Sequence, residues 1–163
     1  MGAVGIEAAT RGQRSATIFG GLLATFVFRV GAQLWQLLWP TPILPPFEAW
    51  HSATLPYPAL VASQLGIIAV GLWVTVGMMR GTLKANRTAS QSLLWIGSVY
   101  LIGATIRFIA GLTLLRDIPF FAAHVPAFFH IVLASMVIVV ANFLLGDPKS
   151  IPDDSDIVSA RRL

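Results

Sequence analysis

The first long apolar stretch of the chain decides the fold. Residues 15–39 read SATIFGGLLATFVFRVGAQLWQLLW, with Arg29 as the one charged residue among them. A helix that crosses the hydrocarbon core of a bilayer needs about 20 predominantly apolar residues. The run is too long for the apolar region of a secretory signal peptide, and no A-x-A-like cleavage site follows it. We therefore expect a retained transmembrane helix.

Three more apolar runs of similar length follow, at residues 60–79, 92–115 and 125–145. Of the 163 residues, 56% are hydrophobic and 11% are charged, against about 25% charged in soluble domains. This composition excludes a disordered chain, a coiled coil and an ordinary soluble enzyme. The sequence predicts an all-α integral membrane protein, in which four transmembrane helices form a bundle.

The domain organisation follows from these four runs. Residues 1–14 form a cytoplasmic N-terminal segment, residues 15–145 the transmembrane domain and residues 146–163 a polar cytoplasmic tail. The absence of cysteine excludes disulfides and cysteine-ligated metal sites.

The basic residues predict the orientation. The N-terminal segment, the loop after the second span and the tail carry Arg11, Arg14, Arg80, Lys84, Arg87, Lys149, Arg161 and Arg162, whereas the opposite loops carry only Arg116. The positive-inside rule then places both termini in the cytoplasm. A compact chain without an organelle signal fits a bacterial inner membrane. The basic residues form no contiguous stripe, which excludes a nucleic-acid partner. The expected partners are the bilayer and either other membrane subunits or a second copy of the chain.

The loop between the first two spans, residues 40–59, contains six of the prolines. Proline removes a backbone donor and cannot occupy a helix interior, so this loop cannot be a fifth span. Its apolar residues favour a short interfacial helix at about residues 47–54. The corresponding connection after the third span, residues 116–121, reads as a tight turn.

Both connections contain the pattern P-F-x-A-x-H, at residues 46–51 and 119–124. A span with one arginine precedes each copy, and a span containing Ala-Ser follows it. If the pattern is a repeat, the protein consists of two hairpins related by a pseudo-twofold axis along the membrane normal. Arg29 then lies beside Arg107, and His51 beside His124. Chance similarity within a small apolar alphabet is the alternative.

The two intramembrane arginines are the most informative polar residues. Arg29 lies ten residues before Trp39, roughly 15 Å from the end of its span at 1.5 Å per residue. An arginine inside a bilayer costs about 2.5–3.5 kcal/mol on insertion scales, and it cannot deprotonate to avoid that cost. No Asp or Glu lies in any predicted span. We predict an outward-facing pocket for an anion or amphiphile, formed by Arg29, Arg107, Gln33, Gln36, Gln64 and His130. Snorkelling of both arginines to lipid phosphates is the alternative.

The three histidines, His51, His124 and His130, all fall on the outer side. Two of them could ligate a haem or a related pigment, with arginines on its propionates. The structural alternative is that they hydrogen-bond loops at the interface. A bound lipid is the other cofactor that the sequence suggests.

Three functions are compatible with this pattern. The first is a non-catalytic subunit or accessory protein of a larger membrane complex, which binds a lipid or anionic amphiphile. The second is a haem- or pigment-binding redox carrier, and the third is a small dimeric transporter or channel for an anionic solute. The sequence contains no carboxylate pair, metalloprotease motif or phosphate-binding loop, so catalysis is not predicted.

Overall fold

The protein is all-helical in the residues that its structure, a computed structural model, describes: 3–50, 56–84 and 86–146. The helices are α1 (Ala3–Leu38), α2 (Phe47–Trp50), α3 (Tyr57–Arg80), α4 (Arg87–Leu112), α5 (Pro119–Ala122) and α6 (His124–Leu145). Four of them, α1 from Thr10 onward, α3, α4 and α6, are long and apolar enough to cross a membrane. The all-helical class and the four candidate spans are thereby confirmed.

Capping and proline, more than hydropathy, set where the helices begin. α4 begins at Arg87 because the Asn86 side chain accepts a hydrogen bond of 2.7 Å from the Ala89 amide, as an N-cap does. α3 begins at Tyr57, next to Pro56 and Pro58, where a missing N–H has no helical partner to lose. α1 already begins at Ala3, since no proline interrupts the residues before the apolar run. The four long helices therefore begin before the apolar runs that predict them, whereas α4 ends at Leu112, three residues before the end of its run.

The helix pair α1–α3 packs large side chains. The buried positions of α1 recur at intervals of three and four residues, at Ala16, Phe19, Leu23, Phe26, Val30 and Gln33. Leu23 lies so close to Gly71 that a Cβ there would be 2.7 Å from Leu23 Cδ1. Farther along, Gln33 contacts Gln64. As residue numbers rise along α1, the residues of α3 that it contacts have falling numbers. The two helices are therefore antiparallel.

The pair α4–α6 packs small side chains instead. The buried residues of α4 are Ser90, Gly97, Ala104 and Gly111, and three residues of α6 are fully buried: Ala127, Ala134 and Ala141. Both series repeat every seven residues. This spacing is typical of two helices, parallel or antiparallel, that wind around each other in a left-handed supercoil. Small residues let two backbones approach closely in lipid. A Cβ at Gly97 would lie 3.0 Å from Val137 and Ile138, which shows how tight this contact is.

Helix α1 also packs on α6 and so joins the two pairs. At the end of the molecule near the chain termini, Arg11 Nη1 donates to the Gly146 carbonyl. At the other end, which we call the short-helix end because it carries α2 and α5, Arg29 lies over Phe129. Large apolar side chains such as Trp73, Trp95 and Ile106 face outward, as lipid-facing residues do. The bundle arrangement and the pseudo-twofold axis stay predictions.

Candidate functional site

The predicted site residues fall into separate groups at the short-helix end. We call Arg29, Gln33 and Gln64 the α1 site, and Tyr100, Arg107 and His130 the α4–α6 site. The two groups differ in their partners and in their burial.

Arg29 is buried, with 7% of its surface exposed. Its Nη2 donates to the carbonyl of Trp50 over 3.1 Å, and its Cζ lies 5.1 Å from the centroid of the Phe129 ring. The Trp50 side chain is itself held by a 2.9 Å hydrogen bond to the Pro45 carbonyl. Neither the carbonyl nor the ring carries a negative charge, and Arg29 Nε is buried without an acceptor among the described residues.

Gln33 lies one turn farther along α1 and is 1% exposed. Its Oε1 accepts a hydrogen bond of 3.3 Å from Gln64 Nε2, across the contact between α1 and α3. Its own Nε2 is buried and has no acceptor among the described residues. Within the described part of the chain, the α1 site therefore contains two donor nitrogens without acceptors, Arg29 Nε and Gln33 Nε2.

Arg107 is half-buried, and its contacts differ from those of Arg29. Its Nε and Nη2 both donate to the carbonyl of Phe120, over 3.3 and 2.9 Å. Its Cζ lies 3.9 Å from the centroid of the Phe120 ring. One turn later, Gly111 allows a close approach of α5, because a Cβ there would lie 2.1 Å from the Phe121 carbonyl oxygen. Arg107 and Gly111 together attach α5 to α4.

His130 lies on α6 and meets Tyr100 of α4. Its Nδ1 shares a hydrogen bond with the Tyr100 hydroxyl, and the two rings meet edge to face. This hydrogen bond joins α6 to α4.

The other predicted residues lie apart from these groups. Gln36 holds the start of the proline-rich loop, since its amide accepts from the Thr41 amide over 3.0 Å and donates to the Thr41 carbonyl over 3.1 Å. His124 meets the ring of Phe108 edge to face. His51 lies outside the described residues. In the described part of the chain, no group of three or more His, Cys, Asp or Glu side chains could hold a metal ion.

Both copies of P-F-x-A form a one-turn helix, α2 and α5, where the sequence reads only one of them as helical. Each short helix contains a carbonyl that accepts from the arginine of its own half, Trp50 or Phe120. Helices of one turn leave their last carbonyls without backbone partners, so they are natural acceptors for a guanidinium. The two carbonyls occupy different positions of the pattern, and the two arginines differ in burial.

Sequence reasoning missed the groups that contact the arginines, which are Trp50, Phe120 and Phe129, and it missed Tyr100, the partner of His130. The first two act through main-chain oxygens, which no residue type reveals. A usable signal was the combination of proline with an aromatic residue beside each arginine-bearing span, because proline shortens helices and leaves carbonyls free.

Comparison with protein-family models, with curated proteins and with solved structures finds no match to this chain.

Proposed function

We propose that the protein is a non-catalytic membrane subunit or accessory protein that binds an anionic amphiphile, such as a lipid, at its short-helix end. The observation that carries the proposal is the buried guanidinium of Arg29, whose described partners are a carbonyl and an aromatic ring. A buried charge is costly to maintain unless an opposite charge or several hydrogen bonds compensate it. An anionic headgroup would supply both.

The surroundings of Arg29 support an amphiphile rather than a small hydrophilic anion. Phe26, Val30 and Phe129 near it are buried and apolar, and the helices present apolar surfaces outward. A ligand with a charged headgroup and an apolar tail matches a buried guanidinium that has apolar neighbours. With both termini in the cytoplasm, as the basic residues predict, the short-helix end belongs to the outer leaflet.

The role as a subunit draws support from glycines without intramolecular neighbours. Gly20, Gly21 and Gly31 on α1 and Gly66 on α3 have no atom within 4 Å of where a Cβ would lie. Glycine is unfavourable inside a helix by about 1 kcal/mol relative to alanine. In membrane helices, small residues mark surfaces where another helix approaches. This pattern favours association with other membrane helices.

Haem ligation receives less support from the geometry. His130 Nδ1 shares a hydrogen bond with the Tyr100 hydroxyl, and the ring of His124 packs against Phe108. His124 and His130 are on the same helix but six residues apart, so they point in different directions. The absorption spectrum of the purified protein decides this alternative directly.

The proposed function is tested by purifying the protein from its membrane in a mild uncharged detergent and measuring retained lipids by native mass spectrometry. We expect one anionic amphiphile per chain, enriched over the bulk membrane, and co-isolation of at least one further membrane chain. A lone monomer whose retained lipids match the bulk membrane would overturn the proposal. A flux of anions in liposomes that depends on Arg29 would instead favour a transporter.

A further inference from the structure

We infer that the α1 site alone binds the anionic headgroup, between Arg29 Nε and Gln33 Nε2, and that Arg107 serves only to hold α5. The inference rests on the proposed function and narrows it, because the sequence predicts one pocket shared by both arginines. The headgroup of the ligand is then an oxyanion, either a carboxylate or a phosphate.

The two donors are assigned to one site because both atoms are buried and because Arg29 and Gln33 lie four residues apart on α1. Arg29 and Gln33 are 7% and 1% exposed, and each has one donor nitrogen without an acceptor among the described residues. Side chains four residues apart on a helix are neighbours, with Cβ atoms about 5–6 Å apart. A single oxyanion with two or more oxygens can therefore accept from both nitrogens. Buried donors that lack partners are rare in native proteins.

The charge of Arg29 selects the class of ligand. A water molecule or a neutral carbonyl could accept both hydrogen bonds, but neither would neutralise the guanidinium. The membrane-spanning part of α1 contains no acidic residue, and α3 contains none either. Gln33 Oε1 is already used by Gln64, so the free end of the amide is the donor end. The charge of Arg29 thus calls for a negatively charged oxygen acceptor, to which Gln33 Nε2 can also donate.

Arg107 is excluded from the site by its own contacts. Two of its nitrogens converge on the Phe120 carbonyl, and one face of the guanidinium stacks on the Phe120 ring. It is also partly exposed, so its charge does not require a buried partner. These contacts explain Arg107 without a ligand.

The sharpest test introduces a carboxylate side chain into the proposed site. Gln33→Glu puts a carboxylate one turn from Arg29 with almost no change in volume, and Gln64 Nε2 can still donate to it. We expect this variant to raise the melting temperature by roughly 2–4 °C and to abolish binding of added anions. Gln33→Leu, which removes the donor without adding charge, should weaken binding by about tenfold or more.

Binding is measured on delipidated full-length protein in an uncharged detergent, by native mass spectrometry, with oleate, phosphatidic acid, acetate and inorganic phosphate as probes. We expect the two probes with tails to bind wild type, and Arg107→Gln to bind them within about twofold of wild type. Equal weakening by Arg107→Gln and Gln33→Leu would overturn this inference but leave the proposed function intact. Equal binding of acetate or phosphate would support the oxyanion site and overturn the amphiphile. If no probe binds and Gln33→Glu is less stable than wild type, both this inference and the proposed function are overturned.

Discussion

Gly111 offers the most direct test of how the short-helix end is held together. Alanine at this position would place its Cβ 2.1 Å from the Phe121 carbonyl oxygen, whereas an ordinary carbon–oxygen contact is about 3.3 Å. Because the obstacle is main chain, no side-chain rotation relieves it. Helix α5 must move away by roughly 1.2 Å, the difference between these two distances.

This displacement has a calculable consequence for Arg107. With the Arg107 side chain unmoved and α5 displaced directly away from it, the 2.9 Å hydrogen bond to the Phe120 carbonyl would lengthen to about 4 Å, which is beyond hydrogen-bonding range. Overpacking costs about 1–3 kcal/mol, and a hydrogen bond to a charged group contributes about 1.5–3 kcal/mol. Since part of the strain relaxes when the bond breaks, we expect Gly111→Ala to lower the free energy of unfolding by about 2–4 kcal/mol.

The assay is unfolding in mixed detergent micelles with increasing dodecyl sulfate, followed by circular dichroism, together with hydrogen exchange at residues 119–122. Gly103→Ala is the matched control, because Gly103 lies on the same helix and has no atom within 4 Å of its Cβ position. The control should be neutral or stabilising by up to about 1 kcal/mol through helix propensity. If both variants unfold at the same detergent composition with unchanged exchange, the close approach of α5 to α4 is wrong.

Two further predictions concern the helices themselves. Asn86→Ala removes the cap on the Ala89 amide and should lower the free energy of unfolding by about 1 kcal/mol. Thr88→Ala, an exposed change in the first turn of the same helix, is the control and should leave that free energy unchanged. Equal free energies of unfolding for the two variants would rule out the cap. Ala134→Leu, at a fully buried position between α4 and α6, should cost about 1–3 kcal/mol, and the same change at exposed Ala69 serves as its control in the same unfolding measurement.

Hydropathy was sufficient to predict the number and type of the long elements, since a bilayer imposes a minimum length on any apolar helix. It did not predict where helices begin, because the Asn86 cap and the proline at Pro58 act through single hydrogen bonds and backbone angles. It also missed α5, where residues 116–121 read as a turn. A one-turn helix has too few residues to show a periodicity.

The site was predictable as a set of residue types but not as a geometry. Arg29 and Arg107 look alike in sequence, each alone in an apolar span, yet one is buried in the core and the other lies half-buried on the ring of Phe120. The pairing of Gln33 with Gln64 depends on which faces of α1 and α3 meet. Gln36 lies on the same helix as Arg29, but its side-chain amide is hydrogen-bonded to Thr41 in the loop. Only tertiary packing separates these cases.

The short helices also bear on how the chain enters the bilayer during translation. Arg29 takes its hydrogen-bond acceptor 21 residues downstream, and Arg107 takes its acceptor 13 residues downstream. Each acceptor is therefore synthesised before the next span of the same half has been completed. A guanidinium that leaves the translocon can therefore donate a hydrogen bond to its own connecting segment before a distant helix is made. The contact between each arginine-bearing span and the short helix after it needs no other span.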